Sequence, residues 1–296
     1  MQQEVRNNCI STVYESIEEI EEIGIPNALK YNYEIYNNYM KEQKSSAWFG
    51  GGVRTPKEAM QKIKDGWPEM LQRLNDMWGD ERPELSLAAS VVKVRRRKRH
   101  RKDYGDTLDM QRVWNGQLDT AWERPEREHR LTATQRHATL YIDMGTTCGT
   151  SADATLWRAA AAMLICDILV QAGRAVEIYV GDSGAGAYPG GGPTYMQNAV
   201  RVKSYTQPLY MERLAAMVSM AYFRSYGFFT IMANPYKSTP SLGQPIHRGI
   251  PCQFEDREKR GELMVCIRSC LTQADAESEF YKVRDALLKA HEENAA

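Results

Sequence analysis

The chain has 296 residues, with 38 Lys and Arg against 38 Asp and Glu, so its formal net charge is zero. At 43% hydrophobic and 26% charged residues it has the make-up of an ordinary globular protein, which excludes a wholly disordered chain, a collagen and a disulfide-rich miniprotein. The length predicts one large domain or two small ones.

The six cysteines, Cys9, Cys148, Cys166, Cys252, Cys266 and Cys270, are sparse, and Cys166 lies in an apolar helical run. Reduced thiols in a cytoplasm are therefore expected. The longest apolar stretch, Ala159 to Leu169, is interrupted by Asp167 and is too short to span a bilayer. No charged leader with an apolar run opens the chain, so neither export nor a membrane partner is expected.

The first 80 residues read as helical. Glu15, Glu18, Glu19, Glu21 and Glu22 flank Ile17, Ile20 and Ile23, which recur at helical spacing, and Gly24 and Pro26 end the element. Tyr31, Tyr33, Tyr36 and Tyr39 alternate with Lys30, Asn32, Asn37, Asn38 and Lys41. This reads as a half-buried helix, with a stacking platform as the alternative. Trp48 and Phe49 precede Gly50-Gly51-Gly52 and read as an exposed aromatic loop. Thr55, Pro56 and Glu58 form a capping pattern for a helix to about Asp65. Gly66-Trp67-Pro68 breaks it, and a second helix runs from about Glu69 to Met77.

Leu87 to Val94 is β-like and leads into a dense basic run. Trp114 and Trp122, on either side of an Asn115-Gly116 turn, read as core rings, because tryptophan is usually buried. From about residue 136, strand and helix alternate. Strands are predicted at 138–143, 175–180, 200–205, 228–232 and 262–267. Helices are predicted at 151–171, 208–222 and 273–293. Gly181 to Pro193 reads as a mobile glycine-rich loop, and 234–251 as a proline-containing loop.

The fold class expected is α/β, with a mostly parallel central sheet covered by helices, a helical N-terminal region and a basic β-ribbon. An oligonucleotide-binding barrel is not expected. Three regions follow: 1–80 helical, 81–130 carrying the ribbon, and 131–296 as the α/β core with a C-terminal helix, all of which could form one compact unit.

The basic run is the strongest functional signal. Eight of the ten residues from Lys93 to Lys102 are Lys or Arg: Lys93, Arg95, Arg96, Arg97, Lys98, Arg99, Arg101 and Lys102. Like charges at about 5 Å repel by on the order of 1 kcal/mol per pair at a protein surface. A polyanion relieves that repulsion and releases its own counterions. On an extended strand, Arg95, Arg97, Arg99 and Arg101 share one face, with Arg96, Lys98 and Lys102 on the other. The competing reading is a solvated loop neutralised by the acidic helix. Single strands are held by cations plus rings that stack on bases, and Tyr104, Trp48 and Phe49 are the candidate rings. No helix-turn-helix or zinc-finger spacing favours duplex DNA.

Three other motifs are weaker. Asp143-Met-Gly145-Thr-Thr147 resembles the metal-site loop of von Willebrand factor A domains, with Gly145 in place of the first Ser of Asp-x-Ser-x-Ser. Thr147 and Asp182 would be the remaining oxygen donors. Gly181-Asp-Ser183-Gly184 looks like a serine-hydrolase nucleophile motif, but it continues with Ala185 and no partner histidine motif accompanies it. Cys266 and Cys270 lack the second pair that a zinc site needs. No catalytic residue, cofactor or metal is therefore expected.

Arg95 to Lys102, Tyr104-Gly-Asp-Thr-Leu-Asp109, Trp114-Asn-Gly and Trp122, with Trp48-Phe-Gly-Gly, Thr55-Pro-Lys-Glu58 and Gly66-Trp67-Pro, resemble the single-stranded-DNA-binding transcription cofactors of podoviruses that carry a virion RNA polymerase. The resemblance implies a non-enzymatic protein of the host cytoplasm that binds melted promoter DNA and recruits the phage RNA polymerase. Two alternatives stand beside it. One is a von Willebrand A-like protein-binding adaptor. The other is a magnesium-dependent nucleic-acid hydrolase using Asp143 and Asp182.

Overall fold

The computed structural model describes residues 1–6, 9–79, 99–102, 107–108, 110–117, 121–125, 137–147, 149–185, 195–233, 251–268 and 270–293. A six-stranded sheet organises the chain. Its strands are β1 (Gln2–Arg6), β2 (Cys9–Tyr14), β6 (His137–Asp143), β7 (Ala175–Ala185), β8 (Tyr195–Lys203) and β9 (Leu263–Ile267). Their order is β1-β2-β8-β7-β6-β9. Three pairings are parallel (β2 with β8, β6 with β7, β6 with β9) and two are antiparallel (β1 with β2, β7 with β8). The structure is thus α/β with a mixed sheet whose centre is mostly parallel.

The N-terminal region is helical from residue 17 onward, through α1 (Ile17–Glu19), α2 (Ile25–Lys41), α3 (Pro56–Asp65) and α4 (Pro68–Asp76). Thr55 caps α3 through the Glu58 amide at 3.2 Å. Before these helices stand two strands that the helical reading of residues 1–80 missed. Cys9–Tyr14 is short and rich in β-branched residues, and its pairings with β1 and, far along the chain, with β8 make it a strand. The first residues therefore complete the same sheet as the core.

The helix α6 (Ala152–Gln171) starts at Ser151, whose side chain caps the Ala154 amide. It is apolar nearly all round, with Leu156, Ala159 to Cys166, Ile168 and Leu169 buried, as expected of a helix enclosed on every side. One side meets the sheet face built from Leu140, Ile142, Val176, Ile178, Val180 and Val200. The others meet α4, α7 (Met211–Met217) and α11 (Gln273–Glu293), with Trp78 edge-on to Trp157 at 5.5 Å. The opposite sheet face carries a smaller cluster of Val13, Tyr141, Tyr179, Ala199 and Phe254, Phe254 directly preceding α10 (Glu255–Lys259).

Two sequence expectations need correction. Residues 228–232 form the helix α9 (Phe228–Met232), not a strand, entered through a π turn at Phe223–Gly227. A five-residue apolar run carries no decisive period, and packing decides it: Phe229 lies 4.9 Å from Tyr36 of α2. Residues 181–185 are not a loop but the end of β7, paired antiparallel with β8. Here glycine is required by close approach. A Cβ at Gly181 would lie 2.1 Å from the Asn198 carbonyl and 2.8 Å from the Tyr141 ring.

Gly181→Ala is accordingly expected to destabilise the fold by about 1–3 kcal/mol or more. The midpoint of urea unfolding is the check, and an unchanged midpoint would contradict the packing described.

Candidate nucleic-acid interface

A second, three-stranded sheet carries the end of the basic run. Its strands are β3 (Arg99–Lys102), β4 (Thr107–Leu108) and β5 (Trp122–Pro125), in the order β3-β5-β4. The ribbon expectation therefore holds for Arg99 to Lys102. Lys93, Arg95, Arg96, Arg97, Lys98 and Tyr104 lie outside the described residues.

The register sorts the charges. Lys102 stands opposite Trp122, Arg101 opposite Glu123, His100 opposite Arg124 and Arg99 opposite Pro125, while Thr107 and Leu108 stand opposite Glu123 and Trp122. Directly opposed residues share a face and neighbours alternate. One face thus holds His100, Lys102, Arg124, Trp122 and Leu108, with no carboxylate among them. The other holds Arg99, Arg101, Thr107 and Pro125 together with Glu123.

Aromatic exposure differs from expectation. Trp114 is not a core ring. It ends the short helix α5 (Met110–Trp114) at 82% exposure, just before the turn through Gly116. Phe49 is not a stacking ring, because it is fully buried. Trp48 is half-buried and already engaged. Its indole N–H donates to Tyr39 Oη at 3.2 Å, and the Arg224 guanidinium lies 3.9 Å from its ring centre. The glycines after them explain the difference. Gly50, Gly51 and Gly52 all have positive φ, and the turn they make tucks the two rings inward. The tyrosine segment is helical, as expected, with Tyr36 buried and Tyr33 exposed.

A second cluster of polar side chains lies where β6 ends beside β7. The Gly145 amide donates to Asp143 Oδ1 at 2.9 Å, and Ser183 Oγ donates to Oδ2 at 2.7 Å. Asn198 donates to Asp182 Oδ2 at 3.1 Å. Asp143 pairs with Gly181 in register, so Asp143 and Asp182 stand on opposite faces of the sheet. Asp182 faces the helices, near Thr230, and Asp143 faces away from them. A shared magnesium between the two, as the hydrolase alternative needs, has no geometric basis in this arrangement.

Beneath the Asp143 turn lies Arg158 of α6, 2% exposed, whose Nη1 donates to the Asp143 carbonyl at 2.6 Å and to the Gly145 carbonyl at 3.3 Å. A guanidinium fixed to this loop disfavours a second cation there. Gly145 supplies no hydroxyl, and a Cβ in its place would sit 2.9 Å from Asp143 Oδ1. Ser183 is buried and spends its hydroxyl proton on Asp143. His137, at the start of β6 about 20 Å away, stacks on Tyr205 at 4.2 Å. This does not make a nucleophile–base pair.

The sequence reading missed a polar network on the sheet face opposite the helices. Arg257 and Arg201 both pair with the buried Glu177, Arg257 by a short contact and Arg201 at 3.6 Å. Tyr205 and Thr139 both donate to Glu262. No local motif signals it, since its members come from β6, β7, β8, α10 and the turns beside them.

The described elements define an α/β protein with a six-stranded mixed sheet and a small three-stranded sheet. The chain belongs to the family described as a domain of unknown function (DUF7192), whose model matches residues 3–290. No curated protein and no solved structure matches it.

Burial pushes Asp182 up to about 8; the Asn198 hydrogen bond opposes this, the nearby Asp143 carboxylate adds to it, and the Thr230 hydrogen bond opposes it again. The folded state therefore holds a proton that the unfolded chain releases near pH 4. The stability this contributes is complete below pH 4 and is lost as pH rises through 8. Urea midpoints of the wild type are expected to fall between pH 5 and 8 relative to those of Asp182→Asn. Parallel pH profiles for the two proteins would contradict it.

Proposed function

We propose that the protein binds single-stranded nucleic acid without catalysis. The small sheet would supply phosphate contacts and Trp114 a ring on which a base stacks. The observation that carries this reading is the register of β3 with β5, which places Lys102, His100, Arg124 and Trp122 at positions of one face and Glu123 at a position of the other. Cations along a strand track a backbone, and an exposed aromatic ring accepts any base. Arg95, Arg96, Arg97 and Lys98, immediately before β3 in the chain, would extend the same cationic track. In place of Trp48 and Phe49, the ring assigned here is Trp114, with 82% of its surface free.

The resemblance to phage transcription cofactors supplies the finer proposal. The strand met would be melted promoter DNA in the host cytoplasm, and the protein partner the phage RNA polymerase. The adaptor alternative is less well supported, because both Asp143 oxygens are already engaged within the chain.

Fluorescence anisotropy with a labelled thymidine 20-mer, single-stranded or annealed to its complement, tests the reading at two salt concentrations. The single strand is expected to bind more tightly and to weaken with added salt. Trp114→Ala should reduce affinity about 5- to 100-fold, in line with roughly 1–3 kcal/mol for a stacked base. Replacing Arg95, Arg96, Arg97, Lys98 and Arg99 by Gln should abolish most binding and lower the logarithmic salt slope by about 0.7 per lost phosphate contact. Equal affinities for all these proteins would refute it.

A further inference from the structure

Among the described residues β1 is an edge strand, with β2 as its one neighbour in the sheet, and all five of its residues are exposed. Such an edge presents free backbone N–H and C=O groups along one side. Pairing with β2 fixes which face each residue takes. Gln2, Glu4 and Arg6 stand opposite Val13, Ser11 and Cys9, and Gln3 and Val5 opposite Thr12 and Ile10. Gln3 bonds Thr12 across that pair, and Arg6 pairs with Glu255 at 2.8 Å on the other face.

We infer that β1 is a self-association edge whose occupant is β1 of a second copy of this chain. A two-fold axis perpendicular to the sheet pairs two such strands antiparallel and keeps like faces together. Three registers are open to Gln2–Arg6. An axis through Gln3 sets Gln2 against Glu4. An axis through Glu4 sets Glu4 against Glu4, and like charges directly opposed destabilise a pair. An axis through Val5 sets Val5 against Val5 and, on the other face, Glu4 against Arg6 twice over. Only the last is complementary in charge, and it also covers Val5, which is 59% exposed. Arg6 has 44% of its side chain free beside Glu255, so one guanidinium can face both carboxylates. The same charges that protect this edge from arbitrary strands therefore admit one partner in one register. The contact is small, which places it among weak, concentration-dependent associations.

Sedimentation equilibrium of the full chain from about 10 μM to 1 mM tests it, with charge exchange as the discriminating step. The wild type is expected to dimerise reversibly. Glu4→Arg and Arg6→Glu should each weaken self-association about tenfold or more. Mixing the two single variants should restore a dimer, because each then offers the charge that the other lacks, and the double variant should dimerise like the wild type. Circular dichroism of each variant controls for folding. A monomer throughout the range, or a dimer indifferent to both single changes, would overturn the inference. So would a mixture no more associated than its components.

Discussion

A buried guanidinium sets the terms for this fold. Arg158 sits on a helix enclosed by apolar neighbours, where an unpaired charge costs several kcal/mol. The carbonyls of Asp143 and Gly145 compensate it, and they belong to the turn by which β6 leaves the sheet. That turn is held from above by Ser183 and by the Gly145 amide. The carboxyl ends of parallel strands are where α/β sheets most often bind ligands. In this chain the same ends are bonded to one another. Both Asp143 oxygens accept hydrogen bonds within the chain, Asp182 is turned to the opposite face, and the Arg158 guanidinium is bonded to the carbonyls of the same turn.

With that end closed, the distribution of charge points elsewhere. A chain of zero net charge has no solubility reason to gather eight Lys and Arg within ten residues. The small sheet organises the last of them by register, not by sequence proximity. Arg124, more than twenty positions along the chain, joins His100 and Lys102, and Glu123 falls on the other face with Arg101. A solvated loop neutralised by the acidic N-terminal helix would not need this sorting. Within that helix region, Glu15, Glu18 and Glu21 instead meet Arg201, Arg213 and Lys64.

Much of the architecture was legible wherever one local signal dominated. The Ser151 cap and the unbroken apolar run gave α6, the Thr55 capping pattern gave α3, and the strand at 138–143 was readable from its composition. What was not legible depended on distant pairing. Cys9–Tyr14 is a strand because β8 lies beside it, and Gly181–Ala185 because β8 folds back on it. The candidate site divided in the same way. Clustered cations announce themselves, and three of those eight Lys and Arg positions fall on β3. Exposure of aromatic rings does not, because it depends on what covers them. The glycines after Trp48 and Phe49 suggest exposure in the sequence, yet in the fold they make the turn that buries Phe49 and half-buries Trp48. The general habits of tryptophan place Trp114 in the core, whereas it stands in solvent. Asp143 and Asp182 looked like partners in sequence, and the two-residue period of the pleat places them on opposite faces.

On the proposal above, ligand would bind at the small basic sheet and not at the strand ends that Arg158 lines. Hydrogen–deuterium exchange of the full chain, with and without a saturating thymidine 20-mer, locates the contact directly. The account predicts slowed exchange in 99–102, 110–117 and 122–125, with 143–147 and 181–185 unchanged. Protection confined to 143–147 and 181–185, with the small sheet unaffected, would contradict it.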